Sequence, residues 1–304
     1  MSGCVAGVLL LAGCSSGGGT DAATGSGSGE PDSTSPSETT KTADAPSSEA
    51  ASVLPTPDHV MVVLFENKDA DSISASNAPY LTSLAERGAA LTSSHGVAHP
   101  SQPNYLALFS GSTQGVTDDS CPNTFSGQSL ASQLLAAGRS FAGYSEDLPS
   151  AGYTGCSSGD YARKHNPWVD FSSLPTSVNQ PLSALPGDYS KLPTVSFVIP
   201  NLCSDMHDCP VATGDAWAKA HLAGYVSWAR THDSLLVVTF DEDDNTVANH
   251  IATFLVGPMV RVGTSPQHTD HYRVLRTIEA MYGLEPLGEA AATTPLADIW
   301  TSGR

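Results

Sequence analysis

The 304-residue sequence predicts an α/β fold with a mostly parallel central sheet and helices on both faces. Three observations predict it. The runs HVMVVLF (59–65), TVSFVI (194–199) and SLLVVTF (234–240) are apolar almost without interruption, as strands buried on both faces are. Helical and strand-like patterns alternate along most of the chain, the order expected for parallel strands joined by helical crossovers. Each of the three runs also ends in a cluster of acidic, amide or histidine residues, and open α/β sheets bind ligands outside the carboxyl ends of their strands.

The first strand, 59–65, delivers Glu66 and Asn67. NAPYLTSLAERG (77–88) is a helix, with an Asn cap, a proline in the first turn, apolar residues at helical spacing and a terminating glycine. A turn and short extended segment (89–98) lead to HPSQPNYLALFSG (99–111), where Ser101 sits between two prolines at the start of an apolar helix. QSLASQLLAAG (128–138) is a further helix and SFAGYS (140–145) a short strand. Residues 146–192 are irregular and rich in Gly, Pro, Ser and Tyr; stretches of this length inside a compact domain are usually functional. Strands at 194–199, 234–240 and 251–256 and helices at 214–231 and 270–282 complete the alternation.

Residues 1–14 hold a short apolar run ending in Leu11-Ala12-Gly13-Cys14, too short to cross a bilayer. The run resembles a bacterial lipoprotein signal, which implies acylation at Cys14, although no Lys or Arg precedes it. Residues 15–54 are Ser, Gly, Thr, Ala, Pro and Asp, too poor in large apolar side chains to offset chain entropy, and read as a disordered tether with a reach of roughly 35 Å. Residues 55–304 form one folded domain. The expected location is extracytoplasmic, lipid-anchored or secreted.

The formal charge is −18, of which −5 lies in the tail and −13 in the domain. Such a surface repels nucleic-acid backbones and anionic membranes, so contact with a membrane is expected only through the N-terminal anchor. It suits a site that holds cations. Four cysteines remain in the domain, and in an exported chain an even number favours disulfides. Cys203–Cys209, enclosing Asp205 and His207, and Cys121–Cys156 are the expected pairs; their spacing lacks the paired pattern of a zinc site.

Alone, Ser101 reads as a helix cap. A serine at a helix start is also surrounded by unpaired N–H groups and the positive end of the dipole, a setting that favours anions such as phosphate. Glu66, Asp241 and Glu242, with Asn67 as a neutral oxygen, would form a hard divalent-metal site around that hydroxyl and lower its pKa. His207, His250 and His271, with Asp205, would hold a second metal or contact phosphoryl oxygens. The basic knot Arg163-Lys164-His165 is either substrate-facing or a solvated loop.

The segments HVMVVLFENK, HPSQPNYLALFSG, RKHNPW, PNLCSDMHDC followed by GDAW, TFDEDD and HYRVLRTIE occur in this order over 59–285. They resemble the bacterial phosphoesterase family of acid phosphatases and phosphatidylcholine-type phospholipases C, within the alkaline-phosphatase-like superfamily. The resemblance implies that Glu66, Asn67, Asp241 and Glu242 bind metal, that Ser101 is both nucleophile and ligand, and that His165 and Asn166 form a substrate-side pair. Asp243-Asp244 replaces the Gly-Gly common in relatives, which leaves the metal count open at one, or two with Asp205 and His250 as second-site residues. The expected activity is a metal-dependent phosphomonoesterase of the acid-phosphatase type acting on a small phosphate ester. The rivals are a phospholipase C-like phosphodiesterase and a solute-binding lipoprotein.

Overall fold

The computed structural model describes residues 54–301. The signal and tether expected at 1–14 and 15–54 lie outside these residues, save Leu54. Eight strands form one sheet: β1 (His59–Phe65), β2 (Ala89–Leu91), β3 (Phe141–Ser145), β4 (Asn179–Pro181), β5 (Val195–Ile199), β6 (Ser234–Phe240), β7 (Thr253–Val256) and β8 (Gly263–Ser265). Their spatial order is β8-β2-β7-β6-β1-β5-β3-β4. Every neighbouring pair is parallel except the two that involve β7. β7 was expected simply as a further strand. It runs the other way because residues 241–252 contain no helix to carry the chain back across the sheet, and a short connection favours antiparallel return.

β1 is central, with Val60 opposite both Val195 and Leu235. Its side chains alternate between two cores, as the two-residue period of a strand requires. Val60, Val62 and Leu64 pack on α2 (Ser101–Ser110), α3 (Leu130–Ala136) and α5 (His271–Met281) through residues such as Phe109, Leu134 and Ile278. Met61, Val63 and Phe65 pack on α1 (Pro79–Arg87) and α4 (Val211–Ala229) through Leu81, Trp217 and Tyr225. Helices therefore cover both faces, as the apolar runs imply.

Capping of α1 differs from the local expectation. Asn77 bonds to Ser74 and Ser72 rather than capping α1. The carboxylate of Asp215, on α4, instead receives the free N–H groups of Tyr80 (3.1 Å) and Leu81 (2.8 Å). α5 keeps its expected cap, with Asp270 accepting from Arg273 N at 2.9 Å.

Leu54 already packs against the core. Removing residues 1–53 is therefore expected to leave melting temperature and turnover unchanged. Loss of most activity in that truncation, assayed beside the full chain, would move the domain boundary.

Candidate active site

Three backbone bonds bring the acidic residues together at one edge of the sheet. Asp241 N donates to Phe65 O (3.0 Å), Lys68 N to Glu242 O (3.2 Å) and Glu66 N to Asp205 O (2.8 Å), so the ends of β1, β6 and the segment after β5 are stitched side by side. Asn67 N donates to Asp241 Oδ1 at 3.1 Å, from a left-handed backbone (φ 50°) that asparagine tolerates better than most residues. His271, the first residue of α5, donates from Nε2 to Asp241 O at 2.5 Å and fixes that carbonyl from below. Its Nε2 is thereby spent on that carbonyl.

Ser101 faces this edge from the first turn of α2. Pro100 occupies the cap position, and Ser101 makes no capping bond. Its Oγ lies 2.8 Å from Glu66 Oε2, 3.1 Å from Glu242 Oε1 and 3.4 Å from Asn67 Oδ1, and the residue is fully buried. One hydroxyl proton can serve only one of these acceptors at a time. Three oxygens from two strand ends thus surround a serine oxygen with too few protons to join them.

The electrostatics repeat this surplus of negative charge. Burial, then the charges of Asp241 and Asp205, push the Glu66 carboxyl well above its ordinary range. Burial and Glu242 push Asp241 up to about 8, burial pushes Asp205 up to about 7, and burial raises Glu242 against the opposing pull of His99. Asp241 Oδ2, Asp205 Oδ2 and His165 Nε2 are buried without hydrogen-bond partners. Buried carboxylates that crowd together with orphaned oxygens are the setting a hard divalent cation neutralises, and the donor set fits one. Ligand atoms of Glu66, His165 and Asp205 also lie within 4.8 Å of one another, so Glu66 belongs to two groups of donors.

Not every expected residue joins. His165 does: buried, it stacks on Tyr105 (4.9 Å between centroids), with Nε2 3.3 Å from Glu66 Oε1 and Nδ1 3.4 Å from Asp205 Oδ2. Burial, then the Lys164 charge, holds its pKa well below the ordinary imidazole value, so it is neutral. Asn166, expected beside the substrate, is buried with its amide accepting from the Ser145 hydroxyl and donating to Ala162 O (2.7 Å); it ties the loop to the end of β3. The ring of His250 turns elsewhere, with Nε2 3.2 Å from Thr92 O and its centroid 5.3 Å from that of His95, while its backbone N–H donates to Asp243 Oδ2 at 3.0 Å. His165 takes the place expected of it beside Asp205. His207 sits at the rim, 30% exposed, with its N–H on Asp205 Oδ1 (2.8 Å), Nδ1 2.7 Å from Asp208 Oδ1 and its ring 6.3 Å from that of His165. Arg163 of the basic knot is consumed by a buried pair with Asp170 (2.8 Å).

Two residues went unread in the sequence. Tyr105 donates its hydroxyl to Glu66 Oε1, and its position one turn after Ser101 on the same helix face is a signal that spacing alone carries. His99, two residues before Ser101, pairs with Glu242 Oε2 and has Nε2 3.0 Å from Thr246 O.

Both expected disulfides are present, Cys121–Cys156 and Cys203–Cys209, which removes the cysteine zinc alternative. The second closes the short loop that carries Asp205 and His207. Replacing both of its cysteines by serine is expected to lower activity several-fold while costing less stability than the ~3 kcal/mol of a 15-residue loop. Unchanged turnover beside a large fall in melting temperature would assign the bridge to folding alone.

The sequence model of the phosphoesterase family matches residues 65–285. The chain is 51% identical over 255 residues to the phosphatidylinositol-3-phosphatase of Mycobacterium tuberculosis, covering 83% of this chain and 85% of that protein. It is 33% identical over 232 residues to the phosphate-repressible acid phosphatase of Penicillium chrysogenum, covering 68% of this chain and 55% of that longer enzyme. Among solved structures, an alkaline phosphatase superfamily protein from Vibrio parahaemolyticus superposes with a TM-score of 0.58 at 12% identity, covering 81% of this chain and 72% of the other. The lipoteichoic acid synthase of Listeria monocytogenes gives 0.56 at 11% identity, covering 83% and 78%. At such identities these two likenesses show the fold, which is alkaline-phosphatase-like.

Proposed function

The chain belongs to the phosphoesterase family and is a phosphoester hydrolase, and from that premise we propose a metal-dependent phosphomonoesterase of the acid-phosphatase type working through a phosphoserine at Ser101. One observation carries the reading: a buried serine oxygen at a helix start, ringed by Glu66, Glu242 and Asn67 oxygens. A cation held by Glu66, Asn67, Asp241 and Glu242 would supply positive charge that favours the ionised Ser101 oxygen and offsets the phosphoryl charge.

The residues themselves do the rest. Ser101 gives up its proton as Oγ forms its bond to phosphorus, and Glu66 Oε2 at 2.8 Å and Glu242 Oε1 at 3.1 Å are the acceptors within reach. The ester P–O bond breaks, the leaving oxygen takes a proton from the rim side, where His207 is the exposed imidazole, and water then releases phosphate from Ser101. Tyr105 and His165 hold Glu66 in place, and His99 holds Glu242. Asp205 and His165, with Glu66, are the donors open to a second cation. The names of both relatives describe phosphatases, which supports monoesters over diesters; phosphatidylinositol 3-phosphate and small soluble phosphates are the first substrates to try. Paired disulfides belong to an oxidising compartment and support an extracytoplasmic setting, with the lipid anchor at Cys14 as the proposed link to the membrane. Among the described residues no helix is long and apolar enough to cross a membrane.

Hydrolysis of p-nitrophenyl phosphate, bis-p-nitrophenyl phosphate and phosphatidylinositol 3-phosphate, each with and without chelator, tests the reading. Monoesters should be cleaved fastest and chelator should abolish cleavage. A preference for the diester would favour the phospholipase-like alternative, and binding without turnover the solute-binding one.

A further inference from the structure

Beside Ser101, one carboxylate occupies two donors at once. Gln102 N, the backbone amide that follows Ser101, donates to Asp119 Oδ1 at 3.0 Å, and Lys164 Nζ donates to Asp119 Oδ2 at 2.7 Å. Each oxygen of a single anion thus takes one donor, a backbone N–H at a helix start and a side-chain ammonium, the pair that phosphoryl oxygens seek. Lys164 is held in place from behind, because His165, its neighbour in sequence, is packed between Tyr105, Glu66 and Asp205. The Lys164 side chain is 17% exposed, and its ammonium feels the charges of Glu66 and Asp241 as well as Asp119. The acceptor side is looser: Asp119 is 30% exposed and lies between Asp118 and Ser120, both exposed. Cys121, two residues on, is bridged to Cys156, so the segments carrying the carboxylate and the ammonium stay close.

We propose that Gln102 N–H and Lys164 receive the substrate's phosphoryl oxygens, and that Asp119 is an internal stand-in for that group which substrate must displace. The inference rests on the reading of Ser101 as the nucleophile. It adds a pair of binding groups and a built-in competitor for them. Two anions cannot share the same N–H and the same ammonium proton, so the carboxylate weakens binding of every phosphoryl ligand.

The test measures inorganic phosphate binding by calorimetry, together with KM and kcat on p-nitrophenyl phosphate, in the metal-loaded wild-type enzyme, Asp119→Ala, Asp119→Asn and Lys164→Met. Removing the carboxylate should lower the phosphate Kd and KM about tenfold, the effect of losing one charge-assisted competitor, with kcat little changed. Lys164→Met should raise both about tenfold or more. Asp119→Asn, which keeps the side chain's shape without its charge, should fall between wild type and Asp119→Ala, and it decides the matter should the alanine variant fold poorly. If the Asp119 variants bind phosphate more weakly, the carboxylate merely positions Lys164 and the inference is overturned; an unmoved Kd in Lys164→Met overturns it as well. Phosphate binding is read without turnover. A wrong nucleophile therefore shows as activity kept in Ser101→Ala, whereas a wrong competitor shows as a Kd that fails to tighten.

Discussion

Ser101→Ala is expected to reduce turnover at least a hundredfold, about 2.7 kcal/mol in the barrier, while the protein keeps its metal. The substitution removes only the oxygen that bonds phosphorus; Glu66, Asn67, Asp241 and Glu242 remain, tied by their backbone bonds and by Tyr105, His99 and His271. Asp241→Asn should lose metal and activity together, because it removes a charge from the group that balances the cation. Elemental analysis beside single-turnover kinetics separates the two outcomes. Acid-quenched wild-type enzyme should carry phosphate on the peptide containing Ser101, since a phosphoserine survives acid. Retention of more than a tenth of wild-type turnover in Ser101→Ala would return that residue to a structural role.

Stripping the metal should destabilise the protein far more at pH 8 than at pH 5. Asp241 and Asp205, at about 8 and about 7, and Glu66, also raised well above its ordinary range by burial, hold their protons more tightly in the folded chain than ordinary carboxyl values near 4 would allow. A carboxyl whose pKa is raised by folding adds stability that is fully present below the unfolded value and is lost as the pH climbs through the folded one. The metal-free protein therefore weakens between about pH 4 and pH 8, as buried carboxylates ionise against each other. A bound divalent cation reverses the sign, since it binds the ionised groups. Leaving such charges uncompensated costs roughly 3–5 kcal/mol, which at about 2–4 °C per kcal/mol opens a gap of ~10 °C between metal-loaded and metal-free melting temperatures at pH 8. At pH 5 the gap should shrink to a few degrees. Equal gaps at both values would mean that the carboxylates do not face one another around a cation.

The sequence by itself determined the layered α/β fold, because period and composition are local: β1, β5 and β6 are apolar throughout, and runs of that kind can only lie inside a covered sheet. It also determined the convergence of Glu66, Asp241 and Glu242 on Ser101, since residues that follow parallel strands share one edge whatever lies between them. Cysteine parity in an exported chain favoured two disulfides, and both pairs formed as expected. Tertiary structure decided what depends on direction and contact. The reversal of β7 follows from a connection without a helix, and the ring of His250, which precedes it, ends beside that of His95. His165 and Asn166 are adjacent in sequence and equally polar. Only packing sends one ring between Glu66 and Asp205 and spends the other's amide on Ser145 and Ala162. The same holds for Lys164 and Asp119, which lie 45 residues apart and carry no shared pattern along the chain. Their meeting beside Ser101 depends on how an irregular loop folds back over the sheet edge, and in such loops contact geometry, not periodicity, chooses the partners.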